Sequence, residues 1–372
     1  MAEGTAPAEL LPAGTLLHRR YALGGVLARG TYGVTYEATD TKFNRPVALK
    51  EYFPGGLAFR ARDGLSLSPK NKACGALFFL GSEMFYRQHL ALTDAKGSCN
   101  VVTVFNAFFE NGTSYAVMER LEGVTLEGYL RLRRRRLTPE EGMFVAASMA
   151  DALLVVHSLN SLHYDINAQS VFICTDGSVK LIDFGAAKAG LRARHEVDDA
   201  EPWLDLGALG KALYEAMSGR RAPDGEIVPD PNIPAPFYEL LLRMLAQDGA
   251  PRFASVFDYR HALACLDVGA VCPAVTGEEA AAFRRDQAGR RIMSAPQSRQ
   301  EQPQEAAPQQ KRKGILDRAL DSLQEAVEFD PSDIAPEHEE RRKHLTRRAA
   351  IFYAAVVVVT LTVALIIRAL TH

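Results

Sequence analysis

Cysteine is scarce in this chain and shows no pairing: five thiols in 372 residues, at 74, 99, 174, 265 and 272. Their odd number and scattered spacing exclude a disulfide framework and a paired-cysteine metal site, and fit reduced cytosolic thiols. An excess of one charge is lacking too. Forty-three Lys and Arg face 45 Asp and Glu, for a net charge of -2. With a pI near 6.5 there is no basic field to hold a polynucleotide, so no nucleic-acid partner is expected. No internal repeat is visible. The opening MAEGTAPAELLPAGTLLHRR has no charged start followed by an unbroken apolar stretch, so it carries no secretory signal. With 47% hydrophobic and 24% charged residues the chain can bury one large core or two lobes.

Long apolar runs are equally rare, with one exception. AAIFYAAVVVVTLTVALII, residues 349–367, is uncharged over 19 residues, and as a helix it spans roughly 28 Å, about one hydrocarbon core. Its terminal position and the basic collar RRKHLTRR (341–348) outweigh the alternative of a buried core helix. The expectation is a single-pass membrane protein with a C-terminal anchor, the folded part cytoplasmic and Arg368–His372 beyond the bilayer. Upstream, SAPQSRQEQPQEAAPQQKRK (294–313) reads as a disordered tether. GILDRALDSLQEAVEF (314–329) places Ile315, Leu316, Ala319, Leu320, Leu323 and Val327 on one helical face, and the acids on its polar face favour a protein partner or self-association over an anionic bilayer. The organisation is therefore an N-terminal extension over 1–14, a folded domain over 15–268, a mostly disordered linker over 269–345 containing the 314–329 helix, and the transmembrane helix.

The folded part opens with strand signals. YALGGVLARGTYGVTYEATD (21–40) and PVALKEYF (46–53) read as a hairpin, and a helical stretch follows around 76–92. VVTVFNAFFENGTSYAVME turns at Asn111-Gly112. From Thr138-Pro139-Glu140-Glu141, a capping box with proline at the first helical position, helices dominate. A β-rich lobe precedes an α-rich one.

Three polar stations follow in order along this frame. Gly30 and Gly33 of LARGTYGVTY open a hairpin to close approach by a polyanion. Lys50 of VALK ends an apolar strand, where its charge needs an anionic partner. Asp183 of KLIDFG follows an apolar strand and suits Mg²⁺. Asp165 lies eighteen residues before Asp183, across a hairpin turning at Asp176-Gly177, so both acids project from neighbouring ends. Each alone has an ordinary structural reading. Their order is far more specific.

From about residue 15 to 268 the chain resembles the eukaryotic-like serine/threonine protein kinases of bacteria. ARGTYGVTY is similar to their glycine loop, VALKEYFP to their lysine strand, LHYDINAQSVFI to their catalytic loop and LIDFGAAK to their metal-binding motif. The resemblance implies an α+β bilobal fold, with a small β-rich N-lobe and a larger α-helical C-lobe. It implies ATP and Mg²⁺ (or Mn²⁺) as cofactors, with Lys50 on the α- and β-phosphates, Asp183 on the metal and Asp165 at the acceptor hydroxyl. Ala48 would line the adenine pocket with Met118 behind it, the backbone from Glu119 to Leu121 would bond adenine, and Asp205 would brace the catalytic loop. Glu83 is the helix residue expected to pair with Lys50.

The departures from the family bear on chemistry. Asn167 replaces a lysine that neutralises the departing phosphate, and Ser170 replaces the asparagine that is a second metal ligand. Tyr164 replaces an arginine concerned with control, and Ala28 the first glycine of the loop. Only AAKAGLRARHEVDDAE separates Gly185 from Pro202, so the peptide-seating platform looks truncated. Arg252 is left to pair with Glu196 or Glu201, or to lie exposed. The expectation is a membrane-tethered, kinase-fold signalling scaffold or regulator that binds ATP and transfers phosphate weakly or not at all. An active serine/threonine kinase is the alternative; a scaffold without nucleotide is disfavoured by Lys50, Asp165 and Asp183. The basic run LRLRRRRL (130–137) reads as a solvated helix end, with anionic lipid as the other reading.

Overall fold

Period-two patterning dominates the first third of the chain, and that third folds as a sheet with one helix. The computed structural model describes residues 10–95, 97–185, 203–222, 226–246 and 252–293. Four strands come first, β1 (Leu16–Leu17), β2 (Tyr21–Arg29), β3 (Gly33–Asp40) and β4 (Arg45–Tyr52). A short ribbon, β5 (Ala58–Arg60) with β6 (Leu67–Pro69), leads to helix α1 (Lys72–Leu92), whose first turn is capped by the Asn71 side chain. Strands β7 (Val104–Glu110) and β8 (Thr113–Glu119) complete an antiparallel sheet ordered β1-β2-β3-β4-β8-β7. The β7–β8 turn is made at Asn111-Gly112, both with positive φ, as that dipeptide predicts.

The second lobe is helical. After β9 (Gly123–Thr125) come α2 (Leu126–Arg133) and α3 (Pro139–Ser158). Thr138 and Glu141 form the expected capping box at the start of α3. Strands β10 (Val171–Cys174) and β11 (Val179–Leu181) turn at Asp176-Gly177 and join β9 in a second sheet. Then follow α4 (Trp203–Ser218), α5 (Ala235–Leu245), α6 (Val256–Ala264) and α7 (Gly277–Met293). Helix α3 runs through the middle of the C-lobe core, with Val145, Met149, Leu153 and Val156 fully buried.

One expectation needs correction. The folded part extends past both ends of 15–268. Leu11 is buried in the N-lobe core, while Val275 and Ala280 enter the C-lobe core and Phe283 packs over Gly128 of α2. Residues 269–293 are thus partly a docked helix, because α7 presents an apolar face and Glu279 binds Arg133 through both carboxylate oxygens. The arginine run is exposed at Arg131, Arg134, Arg135 and Arg136, as a solvated helix end should be, and it is also partly paired. Arg131 pairs with Glu127, Arg135 with Glu141, and Arg136 with Asp230 and the Ser218 carbonyl. The Ser218 and Asp230 partners tie Arg136 to distant parts of the chain. Burial pulls the Glu141 carboxyl up, but hydrogen bonds from Arg135, Tyr129 and the Thr138 amide bring it down to about 2. The amphipathic segment 314–329 and the apolar segment 349–367 lie outside the described residues.

Candidate functional site

The Asp165 loop is positioned by its apolar neighbours and by one buried acid. Leu162 and Ile166 anchor it to the core on either side of Asp165. Asp205, in the first turn of α4 and 1% exposed, accepts from the His163 N–H at 2.8 Å and the Tyr164 N–H at 2.9 Å. Its other contact is His157 Nε2 at 2.9 Å. This is the bracing role expected of it. Tyr164 needs the brace, since its φ of 67° is left-handed, a conformation that is unfavourable for a bulky side chain. His163 is buried, with Nε2 donating to the Ile182 carbonyl at 2.8 Å and its ring packed on Phe184. Burial holds its pKa below the usual histidine value, so the ring stays neutral and Nδ1 accepts from the Asp165 N–H. A Cβ at Gly185 would lie 2.6 Å from Asp165 Cβ; only glycine lets the two motifs touch.

Lys50 and Asp183 come together across the two lobes. Lys50 Nζ donates to Asp183 Oδ1 at 2.9 Å, and the Asp183 side chain is 50% exposed, with φ at 60°. The expected helix partner is displaced. Glu83 points outward and pairs with Arg87 at 2.6 Å, because its place in the α1 repeat falls on the solvent face. What α1 turns toward Lys50 is the Phe85 ring, 5.8 Å from Nζ. His89 lies one turn further, buried, donating from Nδ1 to the Phe85 carbonyl at 2.8 Å. Burial first, and then the charge of Lys50, push its pKa down to about 3. Gln88 is a site residue that sequence reasoning missed. It is buried and donates to the Leu162 carbonyl at 2.9 Å, tying α1 to the approach of the Asp165 loop.

Ser170 is not placed to hold a metal. It is 1% exposed, and its hydroxyl accepts from the Asn167 N–H at 2.9 Å while donating to the Asn167 carbonyl at 3.0 Å. A short side chain bonded to local backbone closes the loop on itself. Asn167 turns its amide back to Asp165, donating to the carbonyl at 2.9 Å and to Oδ2 at 3.4 Å. Among the described residues no group of three or more His, Cys, Asp or Glu side chains could bind a metal ion.

The glycine loop and the interlobe strand complete the cleft. Gly30 N–H donates to the Gly33 carbonyl at 2.9 Å across the β2–β3 turn. The reason for Gly33 differs from the expected one. A Cβ there would lie 2.4 Å from the Glu51 carbonyl, so glycine is required for β3 to lie against β4. Ala48 sits directly across from Met118, and both are nearly buried. Glu119 donates its N–H to the Thr103 carbonyl and accepts from Lys180 Nζ at 2.7 Å, whereas the Leu121 N–H has no acceptor among the described residues. Because side chains alternate along β4, Glu51 faces away from Lys50. It accepts from Arg60 at 2.9 and 2.6 Å and from Tyr115 at 2.8 Å in a closed, buried cluster. Arg252 lies over the Trp203 ring at 4.3 Å and donates to the Ala246 carbonyl; Glu196 and Glu201 lie outside the described residues.

This arrangement, a β-sheet lobe and a helical lobe meeting at a lysine–aspartate pair beside a braced acid, is a protein-kinase-like fold. The protein kinase domain family matches residues 81–200. Serine/threonine-protein kinase PknA of Mycobacterium tuberculosis is 26% identical over 290 residues, covering 69% of this chain and 63% of PknA. Probable serine/threonine-protein kinase SCO3848 of Streptomyces coelicolor is 28% identical over 292 residues, covering 67% of this chain and 40% of that protein. The solved structure "PpkA-294 apo form" superposes with a TM-score of 0.58 at 22% identity, over 69% of this chain and all of that one, a likeness of fold. These likenesses are to protein kinases, and the family match spans 120 of the 372 residues. The chain matches less than two thirds of the length of these curated relatives.

Proposed function

We propose that this chain is a membrane-tethered, kinase-fold protein that binds ATP with Mg²⁺ or Mn²⁺ and transfers its γ-phosphate slowly or not at all, serving as a signalling scaffold or regulator. The observation that carries the reading is the Asp165 loop, in which the Ser170 hydroxyl is turned into the Asn167 backbone and the neutral Asn167 amide fills the flank of Asp165. One metal-ligating carboxylate, Asp183, then remains on the β11 side, with Lys50 beside it. These residues suit a metal–triphosphate: Lys50 is a phosphate donor, the half-exposed Asp183 a hard oxygen ligand, and the Leu121 N–H a donor without an acceptor among the described residues. A bound divalent ion would neutralise charge between the phosphates.

Binding survives here because it needs only ground-state contacts, whereas transfer needs charge placed on the γ-phosphoryl group as it leaves. A missing electrostatic group of that kind typically costs about 3–4 kcal/mol, or roughly 10²–10³ in rate. The active-kinase reading draws support from Asp205, which holds Asp165 in place as a working enzyme requires. A thermal-shift titration with ATP, with and without Mg²⁺ or Mn²⁺, beside a γ-phosphate transfer assay, separates the readings. Stabilisation without turnover is expected. Turnover abolished by Asp165→Asn and Asp183→Asn establishes the kinase instead, and no stabilisation at all leaves a scaffold without nucleotide. The membrane tether rests on the 349–367 segment; deleting it should move the full chain from the membrane to the soluble fraction.

A further inference from the structure

Helix α1 is apolar on both sides, and only one side is covered. Phe78 and Phe85 face the sheet and are buried, while Phe79 is 59% exposed, Leu80 49% and Leu90 44%. Tyr86, half-buried on the same outer face, packs against Phe109 of edge strand β7, which is itself 51% exposed. At 3.6 residues per turn, positions 79, 80, 83, 86, 87 and 90 share one stripe. Stray exposed apolar residues are ordinary on a protein surface; five along one helical stripe and its neighbouring strand are not.

The charges in this stripe identify what covers it. Glu83 and Arg87 are its polar members and straddle position 85, with Leu80 and Leu90 five residues to either side. We infer that the outer face of α1 is a self-association surface, on which a second copy of this chain packs its own α1 antiparallel about a two-fold axis near residue 85. In that arrangement Glu83 meets the partner's Arg87, Arg87 meets the partner's Glu83, and Leu80 meets the partner's Leu90. An isologous contact requires such a self-complementary pattern, because every pairing occurs twice. The helix is about 31 Å long, enough for three to four turns of contact on each copy. The surface lies on the far side of α1 from Lys50, so the nucleotide cleft stays open.

The test uses the full chain in detergent micelles, with differently tagged copies co-expressed and self-capture quantified. The parent chain should capture itself. Glu83→Arg and Arg87→Glu each put like charges at both cross-copy pairings, so each should capture itself roughly tenfold less. Mixing the two variants should restore capture between them, although each still lacks its internal ion pair. That rescue depends on contact between copies. An unchanged melting temperature in both variants guards against misfolding. Failure of the parent to self-capture, self-capture unaffected by either variant, or the absence of rescue in the mixture would each overturn the inference. The last two outcomes would assign the face to a different protein or to lipid.

Discussion

Replacing Asp205 with alanine should destabilise the protein and loosen the Asp165 loop in a way that can be sized from its contacts. The carboxylate is buried and accepts from two backbone amides, His163 and Tyr164, with His157 as its third partner. Truncation leaves both amides without an acceptor at a place water reaches poorly, at about 1–3 kcal/mol each. The sum, about 4 kcal/mol, corresponds to a melting-temperature drop of roughly 8–12 °C for a folded part of this size. Asp205→Asn keeps one acceptor oxygen but points an amide donor at the other N–H, so it should lose about half as much. His157→Ala, which leaves both backbone bonds intact, should lose less still. Thermal melts of the three variants give the ranking, and hydrogen exchange at the His163 and Tyr164 amides locates the effect. A melting temperature for Asp205→Ala within about 2 °C of the parent, with both amides still protected, would refute the claim that this acid holds the loop.

Two further outcomes follow from the N-lobe. His89 has its pKa lowered to about 3 from an unfolded value near 6.5. The unfolded chain therefore binds a proton that the folded one refuses. Stability is fully present above pH 6.5 and falls as pH drops from there toward 3, by up to about 1.4 kcal/mol per pH unit. His89→Leu should flatten the stability profile across that window, and an unaltered slope in denaturant melts would contradict the assignment. In the buried Glu51–Arg60 pair, Arg60→Met should cost about 3–5 kcal/mol, because Glu51 would be left charged and short of donors, whereas Arg60→Met combined with Glu51→Leu should recover part of that loss. A double variant no better than the single one would show that the pair is not the source of the cost.

Local rules made much of the frame legible. Asn111-Gly112 and Asp176-Gly177 turn their hairpins, and Thr138 caps α3, because each depends on neighbouring backbone alone. Lys50, on an apolar strand, and Asp183, just after another, stand out for their apolar flanks. What the sequence hid was rotation and reach. Glu83 was the nearest acid to the expected helix position, yet the phase of α1 turns it outward and brings Phe85 and His89 inward. Ser170 had a hydroxyl of the right chemistry, but its short side chain bonds the backbone three residues back. The partners of Arg133 and Arg136 lie 146 and 94 residues away, so no window along the chain could reveal those two pairings. Gln88 carried no signal, since a buried amide looks like any surface glutamine until its acceptor is known.

The central claim is that this cleft retains a grip on a metal–triphosphate but lacks the groups that steady its terminal phosphoryl as it transfers. The most direct measurement compares single-turnover γ-phosphate transfer by the parent chain with that of Asn167→Lys/Ser170→Asn, alongside ATP-induced stabilisation of both. The account predicts similar stabilisation and transfer at least roughly 10²-fold faster in the double variant. Parent turnover at about 1–100 s⁻¹, the range of working kinases, with no gain from the substitutions, would contradict it.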